Sequence, residues 1–358
     1  MNAALHTARS PLRVLVVDDD PVYRLVLRKA MRNLDKVEVV DTASNGADAQ
    51  RRISKGDVDA VTIDVVLQGE SGLDLLAWVR REQPEVAPIL VTGGTSSTAS
   101  TEVDALVLGA AALILKPSGP GAAQELASQL ERTFAGLQTR AQRPIPTGPV
   151  LSTKAFLRKL PPRRGQRELI AIGASTGGPP VVLKLLQELR AGTQTPIVLA
   201  QHMLEQHLGY MIDHMRRKIG GTVVSPEEGQ AIEPGGIYVA GRGDAHLTVA
   251  RSAAGGLVCR WSATPPEHNC RPAVDPLFRS VAAACGGCCV GVVATGMGCD
   301  GAIGAKHLKD AGASVVVQDE ESSVVWGMPK AVVAAGAADA VVPGDRLAKS
   351  VLSWIEGY

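Results

Sequence analysis

Aromatic residues make up only 3% of the 358-residue chain. Its cores therefore cannot rest on large rings and must be assembled from Val, Leu, Ile and Ala between packed layers, which favours an α/β architecture. Charge of one sign is also scarce: 37 Lys and Arg against 36 Asp and Glu leave a formal net charge of +1, so there is no whole-chain attraction for nucleic acid or an anionic membrane. No apolar run approaches the roughly 18 residues of a membrane span, and the opening MNAALHTARS has no apolar stretch of a secretion signal. The expectation is a cytoplasmic protein without membrane insertion. Cysteine is missing from the first half, and Cys259, Cys270, Cys285, Cys288, Cys289 and Cys299 all fall in the second. The run CGGCC contains a C-x-x-C, which fits a redox pair or half a zinc site, but no second pair stands at metal-finger spacing. Buried, reduced, structural thiols are expected instead.

What is present is length for about two domains and a regular alternation from Leu12 to about Leu137. LRVLVV, VEVV, DAVTID, APILVTG and AALILKP read as strands, each followed by a helical stretch. Parallel neighbours need crossover connections, so this pattern is a doubly wound parallel sheet, whose ligand site lies at the carboxyl ends of its strands. There the chain sets Asp18, Asp19 and Asp20, then Asp64, Thr92 and Lys116-Pro117. Clustered carboxylates repel one another and are tolerable around a cation such as Mg²⁺, while a lysine beside them would neutralise an incoming phosphoryl group. Asp64 is the candidate nucleophile of an aspartyl phosphate. Asp20, before Pro21, reads as a helix N-cap.

These positions resemble the receiver domain of response regulators: VVDDD carries the acidic pair, TIDVV the phosphoacceptor, Thr92 the switch hydroxyl and KP the lysine. The resemblance implies a (βα)5 fold, Mg²⁺ held by Asp18, Asp19 and Asp64, and switching through Thr92 and Lys116. Two positions depart from it: Leu67-Gln68 stands where receivers usually have Met-Pro, and Leu113 where many have an aromatic.

Between Gly136 and Arg167 there are eight basic residues (Arg140, Arg143, Lys154, Arg158, Lys159, Arg163, Arg164, Arg167), five prolines and no acidic residue. Such a stretch buries little and reads as a linker, with nucleic-acid or anionic-surface binding as the other reading. No recognition helix accompanies it, so no nucleic-acid partner is expected.

From Glu168 the alternation resumes with LIAIGAS, a helix from about Pro180 to Arg190, and PIVLAQH. Val181, Val182, Leu185, Leu186 and Leu189 share one helix face. GASTG satisfies G-x-S-x-G, the spacing of a turn that exposes a nucleophilic serine between strand and helix, here Ser175. A pyrophosphate cradle is the other reading of a glycine turn, but the G-x-G-x-x-G spacing is missing. His202 ends the next strand and would reach the same sheet edge, and Asp300 follows the buried strand in VGVVATGMGCDGA. Serine, base and orienting carboxylate could thus meet in one crevice, with glycine-turn amides as an oxyanion hole. The order Ser, His, Asp differs from that of the α/β-hydrolases.

That order, with IGASTGGP, QHM, PGGIYVA, HNCRPAVDPLF, TGMGCDGA and QDEESSVVWGMPKAV from about Leu169 to Trp354, resembles the CheB family of chemotaxis protein-glutamate methylesterases. The resemblance implies a serine esterase that demethylates glutamyl methyl esters on methyl-accepting chemoreceptors and deamidates glutamines there. It also implies a CheA-type histidine kinase as phosphodonor, no cofactor for the esterase step, and a monomer. By positional match Ser175 is nucleophile, His202 general base and Asp300 orienting carboxylate; Met297 offers the oxyanion amide, and Thr176 and Arg271 line the site. The expected domains are a receiver over 10–137, a linker over 138–167 and a catalytic, Rossmann-like, mostly parallel domain over 168–358. Leu204, His207, Gly241 and Cys299 depart from the family's usual residues. A receiver-bearing scaffold with an inactive hydrolase domain is the alternative.

Overall fold

The computed structural model describes residues 11–93, 99–141 and 167–355, with the side chains of 139–141 excepted. The chain divides into two compact units. Most of the expected linker, with Arg143, Lys154, Arg158, Lys159, Arg163 and Arg164, lies outside the described residues.

The first unit is built on β1 (Leu12–Val17), β2 (Val37–Ala43), β3 (Ala60–Asp64), β6 (Ala87–Thr92) and β7 (Ala112–Leu115), in the order β2-β1-β3-β6-β7. Every pairing is parallel, joined by helices α1 (Pro21–Arg32), α2 (Gly46–Ile53) and α3 (Gly72–Glu82), with α5 (Ala122–Ala141) closing the unit. Helix α4 (Ala99–Leu108), expected as the receiver helix between β6 and β7, instead belongs over Ala99–Val107 to the second unit. A short hairpin of β4 (Val66–Leu67) and β5 (Glu70–Ser71), which periodicity does not reveal, follows β3. β3 and β6 are buried throughout, which is why they read as unbroken apolar runs rather than alternating ones. Polar side chains start the helices: Asp20 accepts from Val22 N at 2.8 Å, Asn45 from Asp48 N at 2.9 Å and Ser71 from Leu73 N at 3.2 Å, each satisfying an amide that the helix leaves open.

The second unit carries a seven-stranded, wholly parallel sheet in the order β10-β11-β9-β8-β14-β15-β16. Its strands are β8 (Leu169–Ala174), β9 (Ile197–Gln201), β10 (Val223–Val224), β11 (Ile237–Val239), β14 (Cys289–Val293), β15 (Ser314–Gln318) and β16 (Ala340–Val342). Along β8, Ile170, Ile172 and Ala174 face a core with α6 (Gly178–Gly192), α7 (Glu205–Ile219) and α11 (Leu347–Ile355), while Leu169 and Ala171 face one with α8 (Val274–Cys285), α9 (Ala302–Asp310) and α10 (Met328–Ala334). An antiparallel pair, β12 (His246–Arg251) and β13 (Leu257–Ser262), stands apart from the main sheet. The chain winds from β8 through β9 to the edge strand β10, fills the gap with β11, then returns to place β14 on the other side of β8. The reversal therefore falls at β8, and such a switch point opens the crevice at the strand carboxyl ends.

Arg167, counted above with the linker, is buried and donates to Gly287 O at 2.6 Å and Ser314 Oγ at 3.0 Å. It ties the segments that open β14 and β15. All six cysteines are free, and Cys259, Cys285 and Cys289 are buried as expected; burial raises their thiols, Cys259 and Cys285 to about 12. The expectation fails for the others: Cys270 and Cys288 are half-buried and Cys299 is exposed, because they stand on loops rather than in strands or helix faces.

Candidate active site and phosphoacceptor site

At the carboxyl edge of the first sheet, Asp18 follows β1, Asp64 ends β3, Thr92 ends β6 and Lys116 follows β7. Lys116 Nζ donates to Asp18 Oδ2 at 2.8 Å and to Asp64 Oδ2 at 2.6 Å, so the lysine offsets the repulsion of the two carboxylates. Burial raises the Asp18 carboxyl above its ordinary range, against the lowering pull of Lys116. Burial would lower the Lys116 ammonium, but Asp18 and Asp64 outweigh it and hold it above its ordinary value. One carboxylate oxygen each from Asp18, Asp19 and Asp64 comes within 4.8 Å of the others, and three hard oxygen donors of this kind suit Mg²⁺. A neighbour that the motif does not flag is Tyr23: Lys116 Nζ lies 4.2 Å from its ring centroid, and burial raises its phenol to about 12.

In the second unit, the parallel register pairs Ala174 with Gln201, so the next residues, Ser175 and His202, leave β8 and β9 side by side. His202 N donates to Ala174 O at 2.9 Å, and the buried Gln201 side chain donates to Ser175 O at 2.9 Å and His202 O at 3.0 Å. On the other side Ser175 N donates to Thr295 O at 3.0 Å. The turn requires glycine at two positions. Gly177, at φ 72°, precedes α6, a backbone state costly for other residues, and a Cβ on Gly296 would stand 2.7 Å from that of Ser175.

His202 Nε2 is 2.7 Å from Asp300 Oδ2. Asp300 is buried and also accepts the amides of Val274 at 2.7 Å, Asp275 at 2.8 Å and Gly301 at 2.8 Å. Burial would raise its carboxyl, but His202 and those amides hold it below the ordinary range. With Nε2 engaged by the carboxylate, the imidazole keeps Nδ1 as its available lone pair. Burial would lower the imidazole, but the hydrogen bonds to Asp300 and Cys270 outweigh it, and the ring is raised to about 9.

A base must be neutral to accept a proton, so the rate of this site is expected to climb with pH along a limb centred near the His202 value of about 9. A limb near the free-imidazole value of about 6.5 would mean that the Asp300 pairing does not hold in solution. Because the folded value is raised, the linked stability is fully present below about 6.5. It is lost as pH climbs through about 9, which denaturant titrations at several pH values would read.

The other expected site residues are distributed differently. Met297 lies in the turn after β14, and its amide makes no hydrogen bond among the described residues, which leaves it available as a donor. That turn is anchored through Gly296, whose N–H donates to Val325 O and whose carbonyl accepts from Gly327 and Met328. Thr176 O accepts from Thr295 Oγ1 at 3.0 Å. The Arg271 guanidinium donates to Gly243 O at 3.1 Å and Thr264 O at 3.4 Å, bracing the loop. Residues that the motifs do not single out complete the site: Gln318 Oε1 accepts from Thr295 N at 2.8 Å, Cys270 Sγ stands 3.6 Å from His202 Nδ1, and His268 Nε2 is 2.8 Å from Asp275 Oδ2.

A phosphoacceptor unit followed by a doubly wound sheet with a serine, a histidine and a carboxylate at its strand ends is the build of a response regulator with a hydrolase as its output. Residues 14–128 match the family model of the response regulator receiver domain, and residues 170–351 match that of CheB methylesterase. The chain belongs to the CheB methylesterase family. Among curated relatives, the protein-glutamate methylesterase/protein-glutamine glutaminase 1 of Rhodospirillum rubrum is 34% identical, covering 98% of this chain and 97% of the relative. The protein-glutamate methylesterase/protein-glutamine glutaminase of Nocardioides sp. is 36% identical, covering 95% and 94%. The crystal structure of the Thermotoga maritima CheB methylesterase catalytic domain matches with a TM-score of 0.50 at 32% identity, covering 53% of this chain and 99% of that one.

Proposed function

We propose that the chain is a phosphorylation-regulated serine esterase that hydrolyses glutamyl methyl esters on methyl-accepting chemoreceptors and deamidates glutamines at such sites. The observation that carries the catalytic part is the 2.7 Å pairing of His202 with the buried Asp300, beside a serine that leaves the adjacent strand in a glycine turn. In this reading His202 Nδ1 takes the hydroxyl proton as Ser175 attacks the ester carbonyl, with the Met297 amide donating to the developing oxyanion. Methanol departs with that proton, leaving a glutamyl ester on Ser175. Water, deprotonated by the same nitrogen, then releases the free carboxylate. With a glutamine side chain the same sequence expels ammonia. Thr176 and Arg271 take part as neighbours of the site, bracing its turn and loop. The proposed receiver spans residues 10–137, the linker 138–167 and the catalytic domain 168–358.

The regulatory part places phosphate from a CheA-type histidine kinase on Asp64. Asp18, Asp19 and Asp64 would hold Mg²⁺, which when bound supplies charge neutralisation for the phosphoryl group, and Thr92 and Lys116 read the modification. No helix among the described residues is long and apolar enough to cross a membrane, and we place the protein in the cytoplasm, with the signalling ends of its receptors. Methanol release from methylated receptor membranes, with Mg²⁺ and a small phosphodonor, tests the reading. The intact protein is expected to respond to the donor, whereas Asp64→Asn, or chelation of Mg²⁺, should leave the same rate with and without it. A donor response that survives in Asp64→Asn would remove Asp64 from the regulation.

A further inference from the structure

The loop between β13 and α8 carries a thiol to the ring nitrogen that the proposed esterase needs free. Cys270 Sγ is 3.6 Å from His202 Nδ1, on the side of the imidazole opposite Asp300, so in the proposed mechanism Cys270 and Ser175 would compete for one lone pair. The contact is held in place from several directions. Cys270 N donates to Glu267 O at 2.9 Å and Glu267 N to Cys270 O at 3.2 Å. His246 accepts from Ala273 N at 3.0 Å and meets Pro265 O at 3.1 Å, tying both arms of the loop to β12. The thiol is half-buried, and residues 263–266 beside it are exposed, so small reagents can reach it.

A thiol against an imidazole that is itself oriented by a carboxylate is the arrangement that activates a sulfur nucleophile. Ser175 supplies the oxygen nucleophile that the ester needs; sulfur, being soft, is suited to peroxide oxygen. We propose that Cys270 is an oxidation site for hydroperoxides, activated by His202, and that the sulfenic acid it forms occupies Nδ1 and stops the esterase. As Sγ attacks one peroxide oxygen, the thiol proton passes to Nδ1, the S–O bond forms and the O–O bond breaks. The departing oxygen takes the proton from Nδ1 and leaves as water from hydrogen peroxide, or as the corresponding alcohol from an organic hydroperoxide. Sulfur loses an electron pair and the peroxide gains it. The sulfenic O–H then donates to Nδ1, where the Ser175 hydroxyl would otherwise donate, and a small thiol reductant restores the original state. Cys299 is a natural comparison: its Sγ stands 3.5 Å from His268 Nδ1, and that histidine is paired with Asp275, outside the proposed triad.

The inhibitory half of this inference rests on His202 being the esterase base; the oxidation itself does not. The test treats the full-length protein with hydrogen peroxide and dimedone and follows each cysteine by peptide mass spectrometry, with methanol release measured in parallel. Cys270 is expected to label ahead of Cys299 and Cys288, activity to fall in step with oxidation and dithiothreitol to restore it. His202→Ala should slow Cys270 labelling by about tenfold or more, a readout that needs no esterase activity. Cys270→Ser should keep its own starting rate through the same peroxide exposure. Equal labelling of Cys270 in His202→Ala and the intact protein, or peroxide loss in Cys270→Ser matching the intact protein, would overturn the proposal. Labelling at Cys270 alongside undiminished esterase activity would overturn its inhibitory half.

Discussion

Ser175→Ala is expected to lower methanol release from methylated receptors by about 10⁴-fold or more, with the fold intact. The size follows from what the hydroxyl does: without it no covalent intermediate forms, and water must attack the ester without prior activation of a leaving group. The remaining rate would come from binding and from amides such as that of Met297. The substitution disturbs little else, since the hydrogen bonds that position residue 175 run through its backbone to Thr295 and Gln201. Thermal unfolding should therefore match that of the intact protein. A variant that keeps a rate within tenfold of the intact protein would remove the serine from the mechanism.

Asp300→Asn is the second large effect, and it acts on both rate and stability. Oδ1 accepts from Asp275 N and Gly301 N, and Oδ2 from Val274 N and His202. An asparagine in the same rotamer can satisfy one of these pairs but turns N–H donors against the other. The ring would then carry its proton on Nδ1 to accept at Nε2, and Nδ1 could no longer take the serine proton. A loss of about 10³-fold in kcat is expected. Losing charge-assisted bonds at a buried position should also cost roughly 2–4 kcal/mol of stability. Steady-state kinetics beside a denaturant titration separates the two. Near-normal kcat in a destabilised variant would make Asp300 a structural cap of α8 only.

Both effects depend on an arrangement that was partly legible in the residues. The strand ends were: uninterrupted apolar runs bounded by glycine or charge reveal parallel strands, and the rule that sites gather at their carboxyl ends brings Ser175, His202 and Asp300 together without coordinates. The same holds for Asp18, Asp64, Thr92 and Lys116. Less legible was whatever depends on where an irregular segment turns. The antiparallel β12–β13 pair is ordinary local alternation, yet nothing local says that it stands outside the main sheet. Cys270 sits inside a quoted motif, but its approach to His202 is set by a loop whose path is fixed by His246, Glu267 and Arg271. Gln201 and Gln318 end β9 and β15; buried, they tie the backbone of the serine turn and of the Thr295 turn. Tyr23 reads as one more residue of an amphipathic helix until its ring is seen over Lys116.

The most direct measurement is of the covalent intermediate itself. The protein, activated with Mg²⁺ and a small phosphodonor, is mixed with a methylated receptor fragment, quenched in acid within the first turnover, and digested for peptide mass spectrometry. The expected result is a glutamyl adduct on the peptide containing Ser175, appearing with the first methanol and absent from Ser175→Ala. Methanol released with no adduct on Ser175, or with the adduct on Cys270 instead, would contradict the serine mechanism.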